Sequence, residues 1–317
     1  MKYLHISLVT ACLVVTNLST IAQTDIDGLV MEKNAFCVGP MAGISSWKNY
    51  REGTLKRDNA NLGTVSTTSF NLMGNYGLSK KINLLFGVPY IKTKASAGQL
   101  KGLSGLQDLS LWLKWKALSR KIRRSRLNVF AISGYSFPVS GYTADFLPMS
   151  IGLESKTLSL RAMADYQSGA WFGTISGTYV RRSNIRLDRY AYYTTEMHYT
   201  NEVKMPDATS FNLRAGYRNK GLVAEAFADT WITLGGFDIT RNNMPFPSNR
   251  MNATRVGVNF KYDLPFHPVL SVTGNAFTTV AGRNMGLSSG FNAGIFYVLD
   301  FSPKKKTISG KTENTWP

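Results

Sequence analysis

Between Thr68 and Gly141 the chain alternates apolar and polar residues with a period of two, and this pattern constrains the fold more than any other feature. Phe70, Leu72, Tyr76 and Leu78 share one parity, with Ser69, Asn71 and Asn75 on the other and Met73 as the exception. After Ser79-Lys80-Lys81 the apolar parity resumes at Ile82, Leu84, Phe86, Val88 and Tyr90. Leu109, Leu111, Leu113, Trp115 and Ala117 then alternate with Asp108, Ser110, Trp112, Lys114 and Lys116, and Leu127, Val129 and Ala131 begin the return. Period two held over about ten residues predicts tilted strands with one face in lipid and the other toward a polar interior. Unpaired backbone groups in hydrocarbon each cost several kcal/mol, so such strands must close into a barrel.

The rest of the chain extends the pattern. A poorly alternating first strand is expected from Asn34 to Ser46, weakened by Pro40, and the charged segment Trp47 to Gly63 reads as a long loop. Beyond Phe137-Pro138, strands are expected near Ile151-Gly152-Leu153, from Leu158 to Tyr166 and from Trp171 to Val180. A basic turn at Arg181 to Asn184 would then lead into Ile185 to Thr194. Phe211, Leu213, Ala215 and Tyr217 oppose Asn212 and Arg214, and across the tight turn Asn219-Lys220-Gly221, Leu222, Ala224, Ala226 and Ala228 oppose Glu225 and Asp229. Arg214 and Glu225 therefore share a side. Val256 to Tyr262, Val269 to Val280 and a closing strand from Phe291 to Phe301 complete a count of about fourteen strands, with twelve as the nearest alternative. The expected fold is all-β, a transmembrane antiparallel up-and-down barrel over residues 34–301 with both termini at the short-turn end.

The N-terminus carries an export signal: Met1-Lys2, the apolar run Ile6 to Val15 and the small-residue site Thr20-Ile21-Ala22 predict a signal peptide over 1–22. Residues 23–33 read as a short periplasmic lead-in, too short for a folded plug, so the lumen is expected to be filled by side chains or folded-in loops, or to stay open. Residues 302–317 read as a basic disordered tail. Beyond the signal only Cys37 remains, which excludes a disulfide framework and a cysteine metal cluster.

A formal net charge of +18 raises a nucleic-acid partner, which export argues against. The basic residues gather at predicted turns, Lys80-Lys81, Arg120 to Arg126, Arg181-Arg182, Arg218 to Lys220 and Lys304 to Lys306, where they would end strands or meet anionic headgroups. Two histidines follow the signal, His198 in a predicted loop and His267 between prolines, and neither has a nucleophile beside it in sequence. No metal spacing, phosphate loop or dinucleotide glycine motif occurs in a fitting context, so neither an enzyme nor a cofactor is expected.

Asn75-Tyr76-Gly77-Leu78, Gly87-Val88-Pro89-Tyr90, Gly105-Leu106-Gln107-Asp108-Leu109 with Lys114-Trp115, and Phe137-Pro138-Val139-Ser140-Gly141 follow one another in the order seen in the outer-membrane family named for the MetA pathway of phenol degradation. Over about residues 65 to 145 the chain resembles that family as a distant member, with Gln107 in place of a glycine and one extra residue in the last motif. The resemblance implies a barrel akin to FadL-type channels for hydrophobic or aromatic compounds. The hatch of true FadL channels has no counterpart in the lead-in.

The expected function is an outer-membrane channel or facilitated transporter, with outer-membrane lipids, the barrel assembly machinery and a small solute as partners. The lumen candidates are Asp108, Lys114, Arg161, Asp165, Arg214, Glu225, Asp229 and Arg255, with Phe130, Phe227 and Trp231 as an apolar contact surface. The same charges would equally satisfy one another in a plugged barrel. A non-transporting barrel that holds a periplasmic partner or lipid, and a secreted β-sandwich, are the competing classes.

Overall fold

The computed structural model describes residues 24–240 and 243–303. The signal peptide expected over 1–22 and all of the expected tail beyond residue 303 lie outside the described residues.

Twelve antiparallel strands close into one barrel: β1 (Ala35–Trp47), β2 (Val65–Gly77), β3 (Ile82–Ala95), β4 (Asp108–Ile122), β5 (Ser125–Pro138), β6 (Thr157–Ser168), β7 (Trp171–Arg182), β8 (Ala208–Asn219), β9 (Leu222–Thr233), β10 (Asn252–Asp263), β11 (Leu270–Arg283) and β12 (Ser289–Asp300). Each pairs with its neighbours in sequence, and β12 closes on β1 from Ala35 opposite Asp300 to Ser46 opposite Ser289. Both chain ends of the barrel therefore lie at the rim that carries the short turns. At one of the two-residue turns, Lys220 and Gly221 both have positive φ, the geometry that matches a hairpin's right-handed twist.

The fourteen-strand count is corrected to twelve. The poorly alternating first strand is real and long, because its backbone is saturated on both sides by β12 and β2. The two segments that fail are Ile151–Leu153 and the stretch after Arg182. Ile185, Leu187 and Tyr192 do not form a lipid face; they pack with Ala144, Val203, Met205 and Phe246 into a small apolar core among the long connections. Burial in a loop core and burial in lipid select the same residue types, which is why the pattern misled. A further short strand, Ser104–Leu106, pairs with β3 beside the barrel wall.

The outward parity is apolar and solvent-facing: Leu160 and Ile175 are 59% and 60% exposed, with Phe70, Leu113, Phe211, Leu213, Val258, Phe291 and Ile295 similarly placed. A water-soluble domain would bury these side chains, whereas a belt of them around a closed barrel is the surface that hydrocarbon requires.

Three of the quoted motifs, at 87–90, 105–109 and 137–141, converge in space, while Asn75 to Leu78 lies at the short-turn rim. Pro89, which lacks an N–H, interrupts the β3–β4 ladder, and its carbonyl accepts from Gln107 N at 2.9 Å. Tyr90 and Ile91 then pair with Leu106 and Gly105. Val139 N reaches Gln107 O at 3.3 Å, and Ser140 Oγ donates to Leu106 O. These three motifs build one joint at the long-loop rim of β3, β4 and β5.

At the same rim, Asn284 ties three loops together. Its Oδ1 accepts from Gly53 N at 2.7 Å and Ile239 N at 3.1 Å, while Nδ2 donates to Asp238 Oδ1 at 2.7 Å and Arg250 O at 2.8 Å.

Candidate functional site: the lumen

The lead-in does not hang below the barrel. From Asn34, whose N donates to Gly77 O at the short-turn rim, the described residues run up inside the wall to Thr24. Lys114, on the inner parity of β4 and 0% exposed, donates to Thr24 O at 2.9 Å, Asp27 O at 2.6 Å and Asp27 Oδ1 at 2.8 Å. Arg161 on β6 pairs with Asp25 Oδ2 at 2.7 Å. Gly28 lies so close to the wall that a Cβ there would meet Asp165 Cγ at 2.1 Å. Val30 packs on Phe130, Ile132 and Met163, and Met31 on Ala35, Cys37, Phe296 and Val298. A ten-residue strap without regular secondary structure thus fills one side of the lumen, where side chains, folded-in loops or open space were expected, while the other side stays open. The strap needs no fold of its own because the wall supplies its partners.

On the opposite side, β8 to β12, the lumen is open as two stacked cavities. The upper one, of about 700 Å³, lies toward the long loops and is lined by Phe227, Trp231 and Phe277 together with Arg161, Arg182, Asp229 and Arg255. The lower one, of about 290 Å³, reaches Arg218, Val223, Glu225 and Lys261. Asp25, Ile26, Arg214, Asn275 and Asn292 border both, so they form the narrow place between them.

That narrow place is built by a hydrogen-bonded ladder across five strands. Arg214 donates Nη1 to Glu225 Oε1 and Nε to Asn212 Oδ1 at 3.0 Å. Asn259 Nδ2 reaches the same Glu225 oxygen at 2.6 Å, Asn275 Nδ2 reaches Asn259 Oδ1 at 2.6 Å, and Asn292 Nδ2 reaches Asn275 Oδ1 at 2.8 Å. Each amide donates toward Glu225, and Asn259 and Asn275 also accept from the amide on the following strand, which orients the row. At its β1 end Gly43 leaves room for Asn292; a Cβ at this glycine would stand 1.9 Å from Asn292 Oδ1.

The residues expected to line the lumen divide accordingly. Arg161, Arg214, Glu225, Phe227, Asp229, Trp231 and Arg255 border one or both cavities. Lys114, Phe130 and Asp165 point inward but are sealed on the strap side and border neither. Lys114 holds the strap, and Phe130, 1% exposed, is core. Asp165 is fully buried against Thr174 Oγ1 at 2.8 Å and Arg218 Nη1 at 3.5 Å. Asp108 sits at the joint, accepting from Tyr142 OH at 2.6 Å. Burial and the neighbouring Asp108 carboxylate push the Tyr142 hydroxyl well above the usual phenol range. In loop 139–156, burial followed by the charges of Asp108 and Asp145 raises the Glu154 carboxyl.

Sequence reasoning missed the Asn259–Asn275–Asn292 row, since one amide per strand gives no local signal, and it missed the strap. A signal for the strap existed: Lys114 and Arg161 are inward cations on one half of the wall, and Asp25 and Asp27 are two acids in the short segment just before the first strand. The pair Arg181-Arg182 does not mark a turn at the short end. Both close β7 at the long-loop rim, Arg181 exposed and Arg182 on the lumen side over the Trp231 ring at 5.2 Å. His198 stacks on Tyr192 in the loop core with ring centroids 4.8 Å apart and shares a hydrogen bond with Thr194 Oγ1 at 2.8 Å.

No family model matches the chain, and no curated protein matches it. Among solved structures, the COG4313 outer membrane channel from Pseudomonas putida F1 superposes with a TM-score of 0.68 at 15% identity, covering 88% of this chain and 100% of that one. The translocator domain of autotransporter NalP from Neisseria meningitidis gives 0.47 at 9% identity, over 84% and 90% of the two chains. At these identities the likeness is one of fold. Together with the closed ring and its apolar belt, the likeness to the COG4313 channel makes this chain an outer-membrane β-barrel of a Gram-negative bacterium.

Proposed function

We propose that this protein is a channel or facilitated transporter that passes small hydrophobic or aromatic compounds across the outer membrane. The observation that carries the reading is the pair of stacked cavities along β8 to β12, separated only by the ring of Asp25, Ile26, Arg214, Asn275 and Asn292. A lumen meant only to be filled has no need of about 700 Å³ faced by Phe227, Trp231 and Phe277. The charged neighbours are mostly neutralised in pairs, Arg214 with Glu225, Arg255 with Asp229 at 2.9 Å and Arg161 with Asp25 at 2.7 Å, which leaves the aromatic surface to set the affinity.

Purified protein in planar bilayers is expected to conduct, and a liposome-swelling panel is expected to rank aromatic solutes above sugars and amino acids of similar size. A second reading, a non-transporting barrel, draws on the strap, which Lys114 anchors through three hydrogen bonds. An intact, heat-modifiable barrel with neither conductance nor solute flux would decide for it.

A further inference from the structure

Among the inward arginines of the upper cavity, Arg182 differs from the rest. Arg161, Arg214 and Arg255 each hold a carboxylate, whereas Arg182 has none within salt-bridge distance among the described residues, and its guanidinium lies over the Trp231 ring at 5.2 Å. The neighbouring Asp207 attracts it by charge but gives its hydrogen bonds to other donors, accepting the Arg182 backbone N–H at 3.0 Å and the Tyr179 hydroxyl at 2.5 Å. A half-buried guanidinium that stacks on an indole retains its planar fork of donors, and a ligand carboxylate is the group that fits the fork bidentately. Phe227 and Phe277 line the same cavity, and Arg214 and Arg255 already cover them at 5.7 and 5.5 Å, so the cavity presents aromatic faces beside cations.

We infer that the upper cavity is a binding site for small aromatic carboxylates, with Arg182 taking the carboxylate and Trp231, Phe227 and Phe277 the ring. The inference rests on the channel reading and narrows its solute class, because a neutral aromatic gives Arg182 nothing to bind and an aliphatic acid leaves the rings uncovered.

The test uses detergent-solubilised full-length protein titrated with benzoate, benzyl alcohol and acetate by calorimetry or ligand-observed NMR, alongside bilayer conductance. Benzoate is expected to bind saturably and at least tenfold tighter than either comparator. Arg182→Gln should weaken benzoate at least tenfold, Arg182→Lys should recover only part of it, and Arg181→Gln, on the outer face one residue away, should leave it unchanged. Heat-modifiable migration checks that each variant is folded. Equal binding of benzyl alcohol, unchanged affinity in folded Arg182→Gln, or no saturable benzoate binding by the wild type overturns the inference. The two readings fail separately: conductance without benzoate binding leaves the channel and removes this site, and benzoate binding without conductance leaves the site and removes the channel.

Discussion

The two sides of the lumen use one inner-wall chemistry to opposite ends. On β4 to β7, the inward cations Lys114 and Arg161 are neutralised by Asp27 and Asp25 of the strap, and the apolar residues Phe130, Ile132 and Met163 are covered by Val30. On β8 to β12, Arg214 and Arg255 are neutralised by wall residues, Glu225 and Asp229, and Phe227 and Trp231 remain facing space. Where Asp27 of the lead-in meets Lys114 the lumen is closed, where the acid comes from the next strand it is open, and Arg161 with Asp25 stands at the boundary, bordering the upper cavity. Charge pairing within the wall is thus what leaves this side of the interior open.

Removing the strap should break this contrast most strongly. A chain lacking residues 24–31 but keeping residues 1–23 is expected to show single-channel conductance higher by roughly threefold or more, since the lumen of a barrel this size is narrow and the strap occupies one side of it. Unchanged conductance would mean that ions do not pass beside the strap at all.

Next in size is Lys114→Ala, which leaves the Asp27 carboxylate in a sealed place without its cation. Breaking a buried pair from one side costs about 3–5 kcal/mol, and the strap is expected to respond by leaving the wall, read as new protease sensitivity near Leu29 in the folded barrel. Gly28→Leu should expose the same segment by steric means, because the added carbons overlap Asp165.

A paired substitution sharpens the comparison. Phe130→Ala should cost about 3–5 kcal/mol in unfolding from detergent and leave solute affinity alone. Phe227→Ala, which removes a cavity-facing ring, should cost less than that and lower aromatic-solute affinity. The reverse pattern would exchange the roles of the two sides.

The smallest expected effect lies above the lumen. Arg283 first, then Asn284, hold the Asp238 carboxyl below its ordinary value by hydrogen bonds. A carboxylate with a depressed folded-state pKa adds stability that is complete above its unfolded value, about 3.9, and is lost as the pH falls through the folded one. Hydrogen exchange in loop 234–251 should therefore speed up below about pH 4, and Asp238→Asn should speed it up at neutral pH and remove that acid dependence.

Much of the wall was legible in the chain. Phe211 to Tyr217 and Leu222 to Ala228 predict their hairpin, its tight turn and the shared side of Arg214 and Glu225, because strand parity is local and absolute. Ile185 and Leu187 carried the same apolar signal into a loop core, where no parity rule separates protein from lipid as the solvent. The candidate site was legible only as a list of inward residues. Parity says that Phe130 and Phe227 both point in, but only the course of the strap says which of them is covered.

By itself the sequence determined the class of fold and the outward parity of most strands, since each follows from neighbours one or two residues apart and from the cost of unpaired backbone in hydrocarbon. Tertiary structure alone decided the number of strands, the path of residues 24–33 and the Glu225–Asn259–Asn275–Asn292 ladder. These rest on pairings between distant segments: Lys114 meets Asp27 across 87 positions of chain, and no local pattern encodes which buried charge will find which partner.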